Sequence, residues 1–175
     1  MDAAHFVFAP FLGFLWCAAR LFVRAASGRK RYNVLGALDA VAHRLIRVTN
    51  LDYINAESVC ALLRAVAEAG VGLPITLVLD NARCRKCAVV QALADSLGIE
   101  LLYLPGYSPN LNLIERLWRF LRKESLDSTY YEDFSRFTAA IDRCLDDLST
   151  AHKAEMETLL THKFQTFGDV PLLAA

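Results

Sequence analysis

The chain has 175 residues, 55% of them hydrophobic, and a formal net charge of zero. Its length suits one domain with a buried core, and its hydrophobic content fits an α/β fold. Five cysteines, an odd number scattered along the chain, argue against a disulfide framework and favour a reducing compartment.

The zero net charge hides an uneven distribution of charged residues. Between Arg20 and Arg47 the sequence has seven Arg or Lys and one acid, whereas between Glu124 and Glu157 it has nine acids and three cations. Because phosphate contact depends on the local field, this distribution predicts a basic working face and an acidic face remote from it.

The first predicted element is a strand at the start of the chain. Residues 3–19 are nearly uncharged and are followed by arginines, as in a signal sequence or a membrane span. This run is shorter than the ~20 residues that a bilayer core needs, and a proline and a glycine interrupt it. A secretory signal also needs positive charge before its apolar run, but the chain begins Met1-Asp2. We therefore predict a strand over residues 2–8, no membrane segment and a cytoplasmic protein.

Strands and helices follow in a regular order along the rest of the chain. Apolar runs predict strands over residues 33–38, 45–49, 75–79 and 99–104. Start and stop signals predict four helices: between Asn55 and Gly70, ending at Gly98, starting at Ser108 and Pro109, and over residues 131–148. Three strands followed by alternating helices and strands predict a mixed sheet with helices on both faces.

An acid stands directly after the buried strand over residues 75–79. This strand is short, apolar and rich in β-branched residues, and it ends at Asp80-Asn81. Open α/β sheets place their ligands at the carboxyl ends of such strands. Asp80 is therefore a candidate site residue. Asp39, at the end of the run over residues 34–38, is a rival acid on the same ground.

Two common kinds of site are not indicated by the residues that follow Asp80. Cys84 and Cys87 form a lone CxxC pair, and the four histidines show no pattern that would complete a zinc site. We interpret these cysteines as incidental thiols near the start of a helix. No glycine-rich phosphate loop follows any predicted strand, so a nucleotide cofactor is not expected.

A second candidate acid, Glu115, lies on the helix that starts near Ser108. Ser108 can cap this helix, and Pro109 suits its first turn. The apolar residues at helical spacing are Ile114, Leu117, Trp118 and Leu121. The polar face that includes Glu115 also carries Asn112, Arg119 and Lys123. In an arbitrary helix such a face is solvated surface, so the case for Glu115 depends on the loop before it.

Characteristic segments surround both acids: LVLDNAR contains Asp80, and LPGYSPNLNLIE ends at Glu115. Together they resemble the DDE transposases of the mariner-like superfamily, in particular their bacterial insertion-sequence branch. The spacing of 34 residues (81–114) between the two acids agrees with that superfamily. The stretches DAAHF, which contains Asp2, and SGRKRYNVLGALD are also similar, so the resemblance extends to about residue 137. One departure is Pro105-Gly106, where the family commonly has two prolines.

The resemblance implies an RNase H-like fold over residues 1–150, followed by a C-terminal tail over residues 151–175. It implies that Asp2, Asp80 and Glu115 are catalytic and hold two Mg²⁺ ions, with Mn²⁺ as an alternative, since hard cations take oxygen ligands. The implied activity is cleavage of double-stranded DNA at insertion-sequence ends and joining of the freed 3′-hydroxyl to target DNA, by a chain that can work as a homodimer. The candidate phosphate contacts are Arg29, Lys30, Arg31, Arg83, Arg119 and Arg122.

The sequence departs from these relatives at its start. They carry helix-turn-helix domains before the catalytic domain, and no such pattern is found here. Met1 stands directly before Asp2, so we expect a truncated opening strand. A wrongly assigned start, the second half of a frame-split element and a decayed remnant all remain open. The alternative function is accordingly a catalytically inactive transposase remnant, or an accessory protein that binds DNA or a partner transposase without cutting.

Overall fold

The computed structural model describes residues 1–8, 18, 30–70, 74–80, 82, 85–105, 111–161 and 163–164. Its strands are β1 (Asp2–Phe8), β2 (Lys30–Leu38), β3 (Leu45–Asn50), β4 (Ile75–Leu79) and β5 (Ile99–Tyr103). Its α-helices are α1 (Ala56–Glu68), α2 (Ala88–Ser96), α3 (Ile114–Ser125), α4 (Phe134–Asp146) and α5 (Lys153–Leu159). The five strands agree with the predicted ones to within a few residues.

The strands are divided between two sheets. β1, β2 and β3 form an antiparallel sheet in that order, and β4 and β5 form a parallel pair. The terminal nitrogen of Met1 donates a hydrogen bond to the carbonyl of Val78, 2.6 Å away, and so links the start of β1 to β4. The predicted fold class is confirmed, but in the described ranges the expected single sheet consists of two sheets that meet at this bond.

Helices cover both faces of the strands, as predicted. Side chains alternate along a strand, so β1 and β2 contribute to two cores. Ala4, Phe6 and Phe8 pack in one core with buried residues of α3, α4 and α5. Leu35 and Ala37 pack in the other core with residues of α1, α2, β4 and β5. Asp2 lies two residues before Ala4 in β1, so its side chain points to the same side of the sheet, toward α3.

Helix α3 packs closely against β2 at Gly36. Its four predicted apolar residues, Ile114, Leu117, Trp118 and Leu121, are all at most 1% exposed. A Cβ atom on Gly36 would lie 2.9 Å from Leu45 Cδ1 and 3.0 Å from the ring of Trp118, so a larger residue here would require these side chains to shift. Gly36 is also the β2 partner of Asp2. The close packing therefore brings the first turn of α3 beside the start of β1.

The predicted start of α3 is wrong. Ser108 and Pro109 lie outside the described residues, and the helix begins at Ile114. The amide of Glu115 donates to the carbonyl of Asn112 at 3.1 Å, so backbone groups rather than a side-chain cap close the first turn. Asn112 is buried ahead of the helix and does not share the polar face of Glu115.

The chain beyond residue 150 adds a helix to the α3 core. Met156 and Leu160 are each 1% exposed and belong to this core. The guanidinium of Arg116 donates to the carbonyls of Leu159 and Thr161 at 3.1 and 2.7 Å. The domain boundary at residue 150 stays a prediction, and α5 packs on the domain from beyond it.

The apolar run at the start of the chain begins as the predicted strand, β1, while residues 9–17 lie outside the described residues. Within the described ranges, the helices are too short or too polar to cross a bilayer.

Candidate active site

Three acids from different elements come together beside the start of β1. Asp2 is the first residue of β1, Asp80 directly follows β4, and Glu115 lies in the first turn of α3. Glu115 and Asp2 are neighbours, because besides burial the charge of Asp2 and a side-chain interaction with it raise the pKa of Glu115. Asp2 and Asp80 are joined through Arg85, whose guanidinium contacts Oδ1 of both acids. The fold therefore gathers all three acids singled out by sequence, although their catalytic role stays a prediction.

Arg85 is the central residue of this cluster. Its Nη2 donates to Asp2 Oδ1 at 3.1 Å, and its Nη1 lies 2.6 Å from Asp80 Oδ1. The Arg85 side chain is 4% exposed, and its Nε has no hydrogen-bond partner within the described part of the chain. Burial of an arginine is tolerated only with paired charges, so the two aspartates hold it in place.

Sequence reasoning missed Arg85. It lies five residues after Asp80, between the two cysteines that the sequence analysis interpreted as incidental thiols. The hydroxyl of Tyr103 donates to its carbonyl at 2.8 Å, and its own amide donates to the carbonyl of Ala82 at 3.0 Å. An arginine soon after a strand-terminal acid is the only signal that could have identified it.

Asp80 is fixed by its own turn and is the more accessible acid of the pair. Its Oδ1 accepts a hydrogen bond from the amide of Ala82 at 2.9 Å, which closes a tight local turn. The Asp80 side chain is 49% exposed, against 10% for Asp2. Asp80 therefore faces the solvent side of the cluster, and Asp2 lies at its buried side.

The pKa of Glu115 is raised from its ordinary value. Burial raises its pKa most, and the nearby charge of Asp2 and a side-chain interaction with it raise it further. The guanidinium groups of Arg122 and Arg119 act in the opposite direction.

We expect Glu115→Gln to make the stability of the fold less dependent on pH than in the unaltered chain. The pKa of Glu115 is raised in the folded protein. Its contribution to the free energy of unfolding is therefore complete at pH values below the ordinary pKa of 4.5, and it is lost as the pH rises through the pKa of the folded state. The variant should lose less free energy of unfolding between pH 4 and pH 7, measured by urea denaturation. Glu124→Gln, at an exposed position of the same helix, is the control, and equal effects of both substitutions would contradict this assignment.

The rival acid Asp39 has a local structural role. Its Oδ1 accepts hydrogen bonds from the amides of Val41 and Ala42 at 2.8 and 2.9 Å. These bonds lower the pKa of Asp39 and close the turn between β2 and β3. The interpretation of Asp39 as a third catalytic acid is therefore not supported by its contacts.

A groove extends from the acid cluster, and Arg119 and Arg122 of α3 lie near Glu115. Lys30 and Arg31 are exposed at the start of β2. Arg119 and Arg122 are exposed on α3. Arg29 and Arg83 lie outside the described residues. A groove of about 410 Å³ extends from Asp2, Asp80 and Arg85 to Arg31 and to Tyr53, which is 77% exposed.

The donor chemistry of the cluster fits a hard divalent cation, with one condition. Carboxylate oxygens are the ligands that Mg²⁺ and Mn²⁺ take. Among the described residues, however, no three His, Cys, Asp or Glu side chains are close enough to form a complete metal site. The guanidinium of Arg85 contacts carboxylate oxygens of Asp2 and Asp80 that a bound metal ion would need as ligands. The acids therefore fit a metal ion if Arg85 withdraws.

Comparison with known protein families gives one match. A family model described as DDE superfamily endonuclease matches residues 19–138. The matched range includes Asp80 and Glu115 and begins after Asp2. A comparison with curated protein sequences gives no match.

Solved structures share the fold. The Mos1 Strand Transfer Complex aligns with a TM-score of 0.62 at 16% identity, covering 95% of this chain and 54% of that one. The Mos1 transposase paired-end complex with left transposon end aligns with a TM-score of 0.60 at 14% identity, over 88% and 54% of the two chains. The catalytic core domain of BIV integrase aligns with a TM-score of 0.51 at 16% identity, over 74% and 88%. These neighbours establish the RNase H-like fold, and the chain spans about half the length of the Mos1 chains.

Proposed function

Because the chain belongs to the DDE superfamily of endonucleases, we propose that it is a transposase catalytic domain that cuts DNA at insertion-sequence ends and joins them to target DNA. One observation carries this proposal: Asp2 of β1, Asp80 directly after β4 and Glu115 of α3 lie in a single cluster although they are far apart in sequence. Convergent carboxylates on separate elements are what a metal-dependent phosphodiester cleavage requires.

In this proposal the acids divide the work of holding the ions. Asp2 and Asp80 would hold two Mg²⁺ or Mn²⁺ ions, and Glu115 would complete the ligand set from α3. The bound ions supply an activated water or hydroxyl and relieve charge on the leaving oxygen. Glu115 has to be deprotonated to serve as a metal ligand, and its raised pKa opposes that deprotonation. Arg119 and Arg122 favour deprotonation because both lower this pKa.

The surrounding cations and the groove would position the DNA. Arg31 lies in the groove that leads away from Asp2 and Asp80, and Lys30 is its neighbour in β2. Arg29, Arg83, Arg119 and Arg122 complete the proposed set of phosphate contacts. Such contacts fix the register of a duplex without reading its sequence. The exposed ring of Tyr53 in the same groove could stack on an unpaired base.

One observation favours the second candidate, a catalytically inactive remnant or an accessory protein that binds DNA or a partner transposase. The buried guanidinium of Arg85 already neutralises Asp2 and Asp80. If Arg85 keeps this position when divalent ions are present, the acids cannot hold them and the domain can bind without cutting.

Plasmid cleavage by the 175-residue chain tests the proposal. We expect supercoiled plasmid to be converted to nicked circles in the presence of Mg²⁺ or Mn²⁺ and to stay intact with EDTA, because the reaction depends on the ions that the acids hold. The Glu124→Gln variant, altered at an exposed position outside the cluster, should cut like the unaltered chain. Plasmid that is bound but uncut under both conditions would support the second candidate.

A further inference from the structure

A row of polar side chains crosses the antiparallel sheet. His5 of β1 lies opposite Asn33 of β2, and Asn33 lies opposite Asn50 of β3. His5 Nδ1 lies 2.7 Å from Asn33 Oδ1, and Asn33 Nδ2 donates to Asn50 Oδ1 at 3.0 Å. The row continues from Asn50 Nδ2 to the hydroxyl of Ser58 in α1, at 3.2 Å. Three strands and a helix are thus connected to the imidazole ring of His5.

The hydrogen bond between His5 and Asn33 has a fixed direction. Asn33 Nδ2 also donates to the backbone carbonyl of Asp52 at 2.8 Å, and a carbonyl oxygen can only accept. This contact identifies the nitrogen of the Asn33 amide, so the amide atom that faces His5 is the oxygen. Because that oxygen also only accepts, His5 Nδ1 must carry the hydrogen. In the neutral ring, the other nitrogen, Nε2, is therefore an acceptor.

The ring of His5 is held by a buried group and lies in an open groove. Asn33 is 1% exposed and makes its hydrogen bonds inside the protein, so its position is fixed. His5 is exposed and lines the same groove as Asp2, Asp80 and Arg31. Since Nδ1 turns toward Asn33, Nε2 is the nitrogen that a ligand in the groove can reach.

His5 lies too far along β1 to touch a phosphate held by the acids. It follows Asp2 by three residues, about 10 Å at ~3.3 Å per residue, and the two side chains point to opposite sides of the sheet. Along one strand of a DNA duplex, the same distance spans about three nucleotides at ~3.4 Å each. His5 is therefore placed to contact DNA beside the reacting bond and not at it.

We propose that His5 Nε2 accepts a hydrogen bond from an exocyclic amino group of a DNA base and makes the groove selective for that base. The inference rests on the proposed function, because it takes DNA as the ligand of the groove. Phosphate oxygens only accept hydrogen bonds, so an acceptor such as Nε2 gains nothing from the DNA backbone. The base edges carry the donors: adenine and cytosine present an amino group in the major groove, and guanine presents one in the minor groove.

Arg31 supplies the backbone contact that such a base contact needs. It lies two residues before Asn33 in β2, on the same side of the sheet, and lines the same groove. A guanidinium group is always charged and matches the geometry of a phosphate. Arg31 would thus fix the register of the DNA, and His5 would distinguish the base.

Two substitutions of His5 separate its Nε2 atom from its bond to Asn33. In His5→Asn the side-chain amide can still donate to Asn33 Oδ1, but it is too short to replace Nε2 in the groove. In His5→Gln the amide oxygen can reach the position of Nε2. The matched control is His43→Asn in the turn between β2 and β3, where the φ of 53° is one that asparagine adopts readily. Circular dichroism and Tm check that all three variants fold.

The test selects bound duplexes from a randomised pool in the presence of EDTA, so that it does not depend on cleavage. We expect the unaltered chain and His43→Asn to prefer a base with an amino group at one position by roughly fivefold or more. His5→Asn should lose this preference, and His5→Gln should keep part of it. The selected base is then replaced by its analogue without the amino group: purine for adenine, pyrimidin-2-one for cytosine or hypoxanthine for guanine. The unaltered chain should bind that duplex at least fivefold more weakly, whereas His5→Asn should bind both duplexes equally.

Several results would overturn the proposal and leave the proposed function in place. They are binding of DNA without any base preference, a preference that persists in His5→Asn, and a preference that persists when the amino group is removed. An equal loss of affinity for all sequences in His5→Asn would identify a phosphate contact instead. Failure of the unaltered chain to bind any DNA would contradict this proposal and the proposed function together.

Discussion

Replacing Asp80 with asparagine is expected to abolish metal-dependent DNA cleavage while leaving the fold and DNA binding largely intact. Asparagine keeps an oxygen that can accept from the amide of Ala82, so the turn after β4 should survive. The side chain is 49% exposed, which limits the cost of losing its charge. A carboxylate that holds a catalytic cation contributes several kcal/mol to the transition state, so cleavage should fall by roughly 10²–10³-fold or more.

Plasmid nicking and DNA binding should be measured on the same preparation of Asp80→Asn, with circular dichroism as the check on folding. Asp95→Asn is the matched control, because Asp95 is an exposed acid on α2 outside the cluster. Cleavage retained by Asp80→Asn would refute the assignment of Asp80. Loss of cleavage in both variants would indicate contamination of the unaltered preparation by another nuclease.

Much of the fold could be predicted because its signals are local. The run over residues 75–79 between Pro74 and Asp80 specifies a strand whatever surrounds it, and β4 has those bounds. Asn55 caps α1 with its side chain on the amide of Ser58, as its residue type predicts. The apolar spacing of α3 likewise identified the face that packs on β2.

The parts that could not be predicted depend on contacts distant in sequence. Arg85 reaches Asp2 across 83 residues, and nothing in its neighbourhood shows that its charge would be buried. The start of α3 was misplaced because the backbone carbonyl of Asn112 satisfies the first turn, and such a contact leaves no residue signature. The division into two sheets depends on which strand edges meet, which hydrophobic patterns do not specify.

Replacing Arg85 with glutamine is expected to raise the affinity for Mn²⁺ at least tenfold, which is about 1.4 kcal/mol of binding free energy. The reason is that the substitution removes the guanidinium that pairs with Asp2 and Asp80. Without metal the same variant should be less stable. Breaking a buried ion pair by removing one partner costs ~3–5 kcal/mol, and the exposure of Asp80 places the expected loss near the lower end of that range. Isothermal titration with Mn²⁺ measures the first effect, and urea denaturation with EDTA measures the second.

The two effects are linked, and their combination separates the two candidate functions. A metal ion that replaces the lost guanidinium should restore stability, so the difference in unfolding free energy between Arg85→Gln and the unaltered chain should shrink as Mn²⁺ is added. Arg64→Gln, at an exposed position of α1, should show neither effect. If both the unaltered chain and Arg85→Gln bind Mn²⁺, Arg85 is a displaceable counter-ion of an active nuclease. If only Arg85→Gln binds it, the guanidinium blocks the site and the chain is the inactive form. Equal affinity in the two proteins would show that the ions do not use Asp2 and Asp80.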